Sequence, residues 1–315
     1  MKKVVLIRPH IHKNELPFQL HLYDEWIKTT EIRHKRSICP TWRWLFHIVR
    51  HIWFPKLWEN KKEAHIVLVG GGSINWGAWP DYMFYEIIPI IWDCWPVYYK
   101  KVYKFIEKYG IKTVVVTSRQ TAEVLKERYP EKNVLFITEG IKTSLYKEGN
   151  PLSSRKIDLL EFGRPNTNLP SVSLEKYGYS HVKSTKPEAK LFPTDEDLYN
   201  ALSDSKVTLA FPRCITEPQT ARSIETLTQR YWENMLSRVV MVGKAPKDLI
   251  DLIGYDPVIS INERNIEKQI VEILDNIDSY QKLVDKNLQY ALLYSPWGGR
   301  IKEMKSFLQS IGYSI

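Results

Sequence analysis

The sequence predicts an α/β protein made of two open, parallel-sheet halves. Short β-branched runs alternate with helical patterns, the runs are mostly apolar, and the alternation restarts after a turn-rich stretch near residue 150. A strand without polar alternation is buried on both faces, which is what helices packed on both sides of a parallel sheet impose.

In the first half the runs are Val-Val-Leu-Ile at 4–7, His-Ile-Val-Leu-Val at 65–69, Thr-Val-Val-Val at 113–116 and Val-Leu-Phe-Ile at 134–137. Residues 120–129 read as a helix that stops before Pro130, since proline cannot continue one. The most apolar later stretch, 85–99, is interrupted by Glu86, Pro89, Asp93 and Pro96 and so is not a membrane span. Residues 147–154, Lys-Glu-Gly-Asn-Pro-Leu-Ser-Ser, gather turn formers and mark the boundary. A second series follows with Ile-Asp-Leu-Leu-Glu-Phe at 157–162, Val-Thr-Leu-Ala-Phe at 207–211 and Val-Val-Met-Val at 239–242. Residues 298–312 read as a terminal helix with Ile301, Met304, Phe307 and Leu308 on one face. The expected organisation is 1–150, 151–293 and a closing segment 294–315.

The bulk properties fit this reading. The 315 residues are 43% hydrophobic and 26% charged, a folded composition that excludes disordered and fibrous classes. A net charge of +9 attracts polyanions: nucleic acid, anionic lipid and phosphorylated small molecules are all admissible partners. Cys39, Cys94 and Cys214 lie far apart without a paired spacing, which suits a reducing cytoplasm better than a disulfide framework or zinc site. Four apolar residues before Arg8 are too few for a secretory leader.

The most specific stretch is Glu225-Thr-Leu-Thr-Gln-Arg-Tyr-Trp-Glu233, ahead of an apolar run that ends at Gly243. A diphosphate is stabilised where amides at a helix N-terminus point at it and the helix dipole adds partial positive charge. Thr226, Leu227 and Thr228 would supply those amides. A bare pair of glutamates on an amphipathic helix is otherwise a solvated face. The stretch resembles the donor-binding segment of retaining GT-B glycosyltransferases, especially the group-1 (family-4-like) bacterial families.

That resemblance implies two Rossmann-like domains facing each other across a cleft, with a nucleoside-diphosphate sugar on the second. It implies that Glu225 faces the donor sugar as a catalytic residue and that Glu233 holds the ribose. Phe162-Gly163-Arg164 is similar to the Gly-Arg at which these families place an arginine on the donor phosphates, a task suited to a permanently charged planar fork. Many relatives carry a lysine about five residues later, where this chain has Leu169, so Arg213 and Arg230 become candidates for the second cation. Leu191-Phe192-Pro193 resembles the element that contacts the nucleobase, and the tail from Tyr294 resembles the closing segment that crosses back to the first domain. No metal and no cofactor besides the donor is implied.

In the first half, loops at the carboxyl ends of strands are the places to look for an acceptor site. Gly70-Gly71-Gly72-Ser73 would let backbone approach a phosphate or sugar, or simply turn the chain. Asp93 lies where many family members carry a His-Asp pair, with Trp92 in place of the histidine; it either faces the cleft as a catalytic group or caps the following helix. His10 is a further candidate for acceptor hydroxyls. Residues 33–62 interleave cations, Arg43 and Arg50 among them, with Trp44, Trp53 and other aromatics. This mixture suits an anionic membrane surface and a lipid-linked acceptor, a packed core with a solvated basic face, or stacking on nucleic acid.

The resemblance therefore implies an enzyme that transfers a sugar to a glycan or lipid-linked acceptor in bacterial surface polysaccharide synthesis, peripheral on the cytoplasmic face of the membrane. Rival readings are a GT-B transferase acting on modified bases in DNA, and a catalytically silent nucleotide- or glycan-binding protein.

Overall fold

A computed structural model describes residues 1–9, 18–36, 51–183 and 191–315. The chain forms two compact units, Met1–Glu139 with Gln219–Ile224 and Trp297–Ile315, and Gly140–Pro218 with Glu225–Pro296.

The first unit is built on β1 (Lys2–Arg8), β2 (Arg33–Arg36), β3 (Glu63–Gly70), β4 (Glu86–Trp92), β5 (Thr113–Val116) and β6 (Asn133–Phe136). They lie in the order β1-β3-β4-β5-β6, with β2 and the short strand Tyr313–Ser314 also paired to β1, all in parallel. Successive strand residues face opposite sides, and the packing follows that period. On one face Val5, Val67, Ile87, Ile91 and Val114 meet Val102, Phe105 and Ile106 of the helix Tyr99–Tyr109. On the other, Leu6, Ile66, Ile88 and Val115 meet Leu22 and Trp26 of the helix Phe18–Thr29 and Ile301 and Met304 of the helix Trp297–Ser310.

β4 lies within 85–99, the interrupted apolar stretch outside the expected strands. All seven of its residues are buried. Pro89 sits opposite Val67, and the ladder to β5 registers only Ile90 and Ile91, so the missing N–H falls outside that ladder. The helix expected at 120–129 forms as Arg119–Arg128.

The second unit carries β7 (Ile157–Glu161), β8 (His181–Lys183), β9 (Ser205–Ala210), β10 (Val240–Gly243) and β11 (Val258–Ser260), parallel and in the order β11-β10-β9-β7-β8. Leu159, Val207, Val240 and Val242 pack with Ile266, Ile270 and Ile273 of the helix Ile266–Asp275. Ala210 and Met241 pack with Tyr231, Trp232 and Met235 of the helix Gln229–Leu236.

The junction between units lies at Glu139 and Gly140, not at 150. Ile141 is buried in the same cluster as Leu227 and Trp232, and Tyr146 packs against it, so the turn-rich stretch belongs inside the second unit. Arg155 fastens that stretch by donating to the carbonyls of Glu148, Asn150, Ser205 and Ser237 at 2.8–2.9 Å. No helix among the described residues is long and apolar enough to cross a membrane.

Candidate functional site

β7 ends just before Phe162-Gly163-Arg164, and Gly163 turns the chain with φ +72°, a left-handed value that glycine adopts without a steric cost. A Cβ at Gly163 would stand 2.0 Å from Arg230 Nη2, so the absence of a side chain is what admits the Arg230 guanidinium. That guanidinium lies over the Phe162 ring, 5.5 Å from its centroid, and its Nη1 reaches the Arg164 carbonyl at 3.5 Å.

The sheet holds the helix that carries Arg230. Buried Asn234 accepts from the Thr208 hydroxyl at 2.9 Å and donates to the Arg230 carbonyl at 2.8 Å, fixing the helix start against β9. The Tyr231 hydroxyl donates to the Lys244 carbonyl at 2.7 Å, just past the end of β10. Burial lowers the Arg230 pKa, but guanidinium remains charged at any physiological pH.

Arg213 follows β9 in the short helix Arg213–Thr216, and its Nε and Nη2 lie 2.8 and 2.6 Å from Glu217 Oε2. Arg164 Nε lies 3.4 Å from the other carboxylate oxygen, so Glu217 links two guanidinium groups. Arg164, Arg213 and Arg230 thus belong to one connected cluster beside the carboxyl ends of β7 and β9. Glu217 was not legible as a site residue; its spacing of four from Arg213 is the only sequence signal for it.

Glu233 sits one turn beyond Arg230, and its Oε1 accepts from the Tyr146 hydroxyl at 3.0 Å. Burial pushes its carboxyl above the usual range, against the pull of the Tyr146 hydrogen bond and the Arg230 charge. The Tyr146 ring meets Tyr199 edge to face, with centroids 4.8 Å apart. Leu191 and Phe192 are half-buried and pack against Leu160 and Leu202, as do Phe162 and Tyr146.

Glu225 has a different set of partners. Its carboxylate accepts from Lys244 Nζ at 2.5 Å and from the Lys247 amide at 3.0 Å, at the start of the helix Lys247–Ile253. There it satisfies a helix N-terminus, where a negative charge is favoured by the dipole. Arg230 acts on Glu233 through its charge and reaches the Arg164 carbonyl, whereas Glu225 is tied to Lys244 and to the start of the helix Lys247–Ile253.

Of the residues expected to supply amides, only Thr228 lies at the helix start. Thr226 and Leu227 are buried, Leu227 within the core, and Thr228 is the N-cap of the helix Gln229–Leu236. The first intrahelical bond runs from the Tyr231 amide to the Thr228 carbonyl, so the amides of Gln229 and Arg230 stand beside that of Thr228 at the helix start. Asp195-Glu196-Asp197, an Asp-x-Asp sequence, opens the helix Asp195–Ser203, where Asp197 closes a capping box with Thr194. Among the described residues no cluster of three or more His, Cys, Asp or Glu could hold a metal ion.

In the first unit, a Cβ at Gly71 would stand 2.8 Å from the Asp93 carbonyl, and one at Gly72 would stand 3.1 Å from the Tyr98 ring. Both glycines are therefore accounted for by close passage of the unit's own chain. Asp93 is exposed, has φ +49°, and accepts from Trp95 Nε1 at 3.1 Å. The N-cap position of the following short helix Pro96–Tyr98 is taken by Trp95 and not by Asp93. Trp92 is buried edge to face on Trp297, centroids 6.2 Å apart, which gives the departure from histidine a packing explanation.

His10, Arg43, Trp44 and Arg50 lie outside the described residues. Trp53 stacks on Tyr109 with centroids 6.2 Å apart and carries Lys104 over its face at 4.7 Å, so it packs onto its own unit and is not presented as a surface anchor. Ile52, Leu57 and Trp58 are the exposed apolar side chains nearby. Burial raises the Cys94 thiol to about 12 and also raises that of Cys214, which leaves both as poor nucleophiles.

No protein-family model and no curated protein matches the chain. Among solved structures it is similar to a glycosyltransferase from Rickettsia africae (TM-score 0.52, 12% identity, 99% of this chain and 100% of that one). It is also similar to sucrose-phosphate synthase from Thermosynechococcus elongatus (0.56, 12%, 99% of each chain). Anabaena HepE in complex with UDP-glucose aligns with a TM-score of 0.54 at 8% identity, over 98% of this chain and 100% of that one. At such identities the likeness is one of fold, and the chain has the GT-B fold of two Rossmann-like domains.

Proposed function

We propose that this GT-B chain is a glycosyltransferase that takes a sugar from a nucleoside diphosphate and holds that donor on its second unit. The observation that carries the reading is the cluster of Arg164, Arg213 and Arg230 beside the carboxyl ends of β7 and β9, with the Glu233 carboxylate one turn beyond Arg230. Open α/β sheets bind ligands at the carboxyl ends of their strands. Guanidinium forks suit the diphosphate, and a carboxylate suits the ribose hydroxyls. The complexes of HepE with UDP and with UDP-glucose support a nucleotide-sugar donor on this fold.

In this reading the donor diphosphate lies against Arg230 and displaces Glu217 from between Arg164 and Arg213. The arginines then stabilise the leaving diphosphate as its charge develops. Glu225, tied to Lys244, is a weaker candidate for the reacting centre than the sequence alone suggests. The acceptor is a glycan or lipid-linked glycan of bacterial surface polysaccharide synthesis, and transfer proceeds with retention and without a metal. Exposed Ile52, Leu57 and Trp58 beside Lys56, Lys61 and Lys62 support attachment to an anionic membrane face.

Calorimetric titration with UDP, GDP, ADP and their sugars tests the reading. At least one should bind, and Arg230→Ala and Arg164→Ala should each weaken it by about 1.5–3 kcal/mol, the value of a hydrogen bond to a charged group. Absence of binding across the panel, or wild-type affinity in both variants, would overturn it.

A further inference from the structure

Glu233 is held by a residue far away in sequence. Tyr146 lies just beyond the short turn Thr143–Leu145, and its hydroxyl donates to Glu233 Oε1 at 3.0 Å. The phenol is itself fixed: its ring meets Tyr199 edge to face and packs against the cluster of Leu160, Ala201 and Leu202. A half-buried carboxylate whose one oxygen is taken by a fixed phenol keeps its other oxygen in a defined direction. It also stays ionised more readily than burial alone would allow, because a donor stabilises only the charged form.

We infer that Tyr146 is a positioning residue for the donor site, orienting the Glu233 carboxylate and holding it ionised for the donor's ribose hydroxyls. The inference rests on the donor reading given above. The groups around Glu233 are Tyr146 from the start of the second unit, Arg230 from its own helix and Asp195 from the helix Asp195–Ser203, with Tyr199 behind Tyr146. Arg230 and Tyr146 favour the carboxylate, whereas burial and Asp195 oppose it. Removing the phenol hydroxyl takes away a stabilising partner and leaves the opposing terms in place, so protonation then begins at higher pH.

The test is Tyr146→Phe, which keeps the ring and its Tyr199 contact, titrated from pH 5.5 to 8.5 with the sugars of UDP, GDP and ADP, whose esterified diphosphate has no proton to lose in that range, beside wild type, Glu233→Gln and Arg230→Ala. In wild type the affinity rises with pH as Glu233 ionises, and in Glu233→Gln it is weak and flat. In Tyr146→Phe the rise moves to higher pH: affinity is about tenfold below wild type at the acid end and within about threefold at the alkaline end. A Tyr146→Phe profile parallel to wild type, whatever its level, overturns the inference, because a merely structural loss acts equally at all pH. If Arg230→Ala still weakens binding, the donor reading survives that failure. If no diphosphate binds wild type, both fall together.

Discussion

Gly163→Ala separates donor binding from folding, because the two costs arise from different atoms. The backbone cost comes from φ +72°, where an alanine is disfavoured by about 1–2 kcal/mol. The added Cβ would stand 2.0 Å from Arg230 Nη2 and 2.9 Å from Cζ, far inside contact distance. What it meets is the end of a flexible side chain, so the guanidinium swings away while the strand end stays in place. The expected loss of folding stability is therefore only the dihedral term, about 1–2 kcal/mol. The binding loss is that of one charged hydrogen bond, about 1.5–3 kcal/mol, or roughly ten- to hundredfold in Kd. Titration with the best-binding nucleoside diphosphate measures the second, and urea unfolding the first. The cycle with Arg230→Ala is decisive: once the guanidinium is gone, Gly163→Ala should cost almost nothing further in binding. Additive losses, or wild-type affinity in Gly163→Ala, would show that Arg230 does not hold the donor.

Three further outcomes concern the scaffold. Gly243→Ala should be far more damaging, because its Cβ would stand 2.0 Å from the Ala210 carbonyl oxygen at φ +149°, against backbone that cannot swing aside; a wild-type urea midpoint would contradict this. Arg155→Met strands four carbonyls and should cost about 3–5 kcal/mol in urea unfolding, with little change in the rest of the sheet's circular dichroism before the transition. For Glu59, burial raises the pKa, but hydrogen bonds from Lys2 and Lys56 overcome it and hold the carboxyl at about 2, against an ordinary 4.5. A depressed folded pKa contributes stability that is fully present above the ordinary value and is lost as pH falls toward 2. Wild type should therefore exceed Glu59→Gln at pH 6, with the gap closing by pH 2; a gap independent of pH would contradict the pairing.

The sheets were legible because a parallel strand covered on both faces leaves an uninterrupted apolar run, as at 65–69 and 113–116. β4 was hidden because a proline inside a strand normally marks an edge, and only the register with β5 shows why Pro89 is tolerated here. β8 and β11 are three residues each, too short for a period to register. In the candidate site, Gly163, Arg164, Arg230 and Glu233 were named from two short segments, 162–164 and 225–233, through their resemblance to a family pattern. Tyr146, lying 87 residues from its partner, has no local signal at all. Glu225 looked equivalent to Glu233 because spacing on a chain carries no record of which lysine or helix end will claim a carboxylate.

The two departures from the family pattern have physical accounts that weigh differently. Leu169 is half-buried and packs against the core that holds Leu159 and Val207, so a leucine there has an apolar seat that would not suit a lysine's charge. Its replacement removes a cation from one loop, while Arg213 and Arg230 supply two in the cluster around Arg164. Diphosphate stabilisation depends on the positive charge gathered at the strand ends and on its fork geometry, not on which loop delivers it. Leu169 therefore does not argue against a donor site. Trp92 is different: its indole is buried against Trp297, so it cannot stand in for the histidine at an open surface. If the acceptor is recognised in that unit, its contacts must come from other groups, of which exposed Asp93 at the end of β4 is the first to mutate. Asp93→Asn keeps an acceptor for the Trp95 indole and removes only the charge. A fall in transfer with donor affinity unchanged would place Asp93 on the acceptor side, and unaltered transfer would remove it from the chemistry.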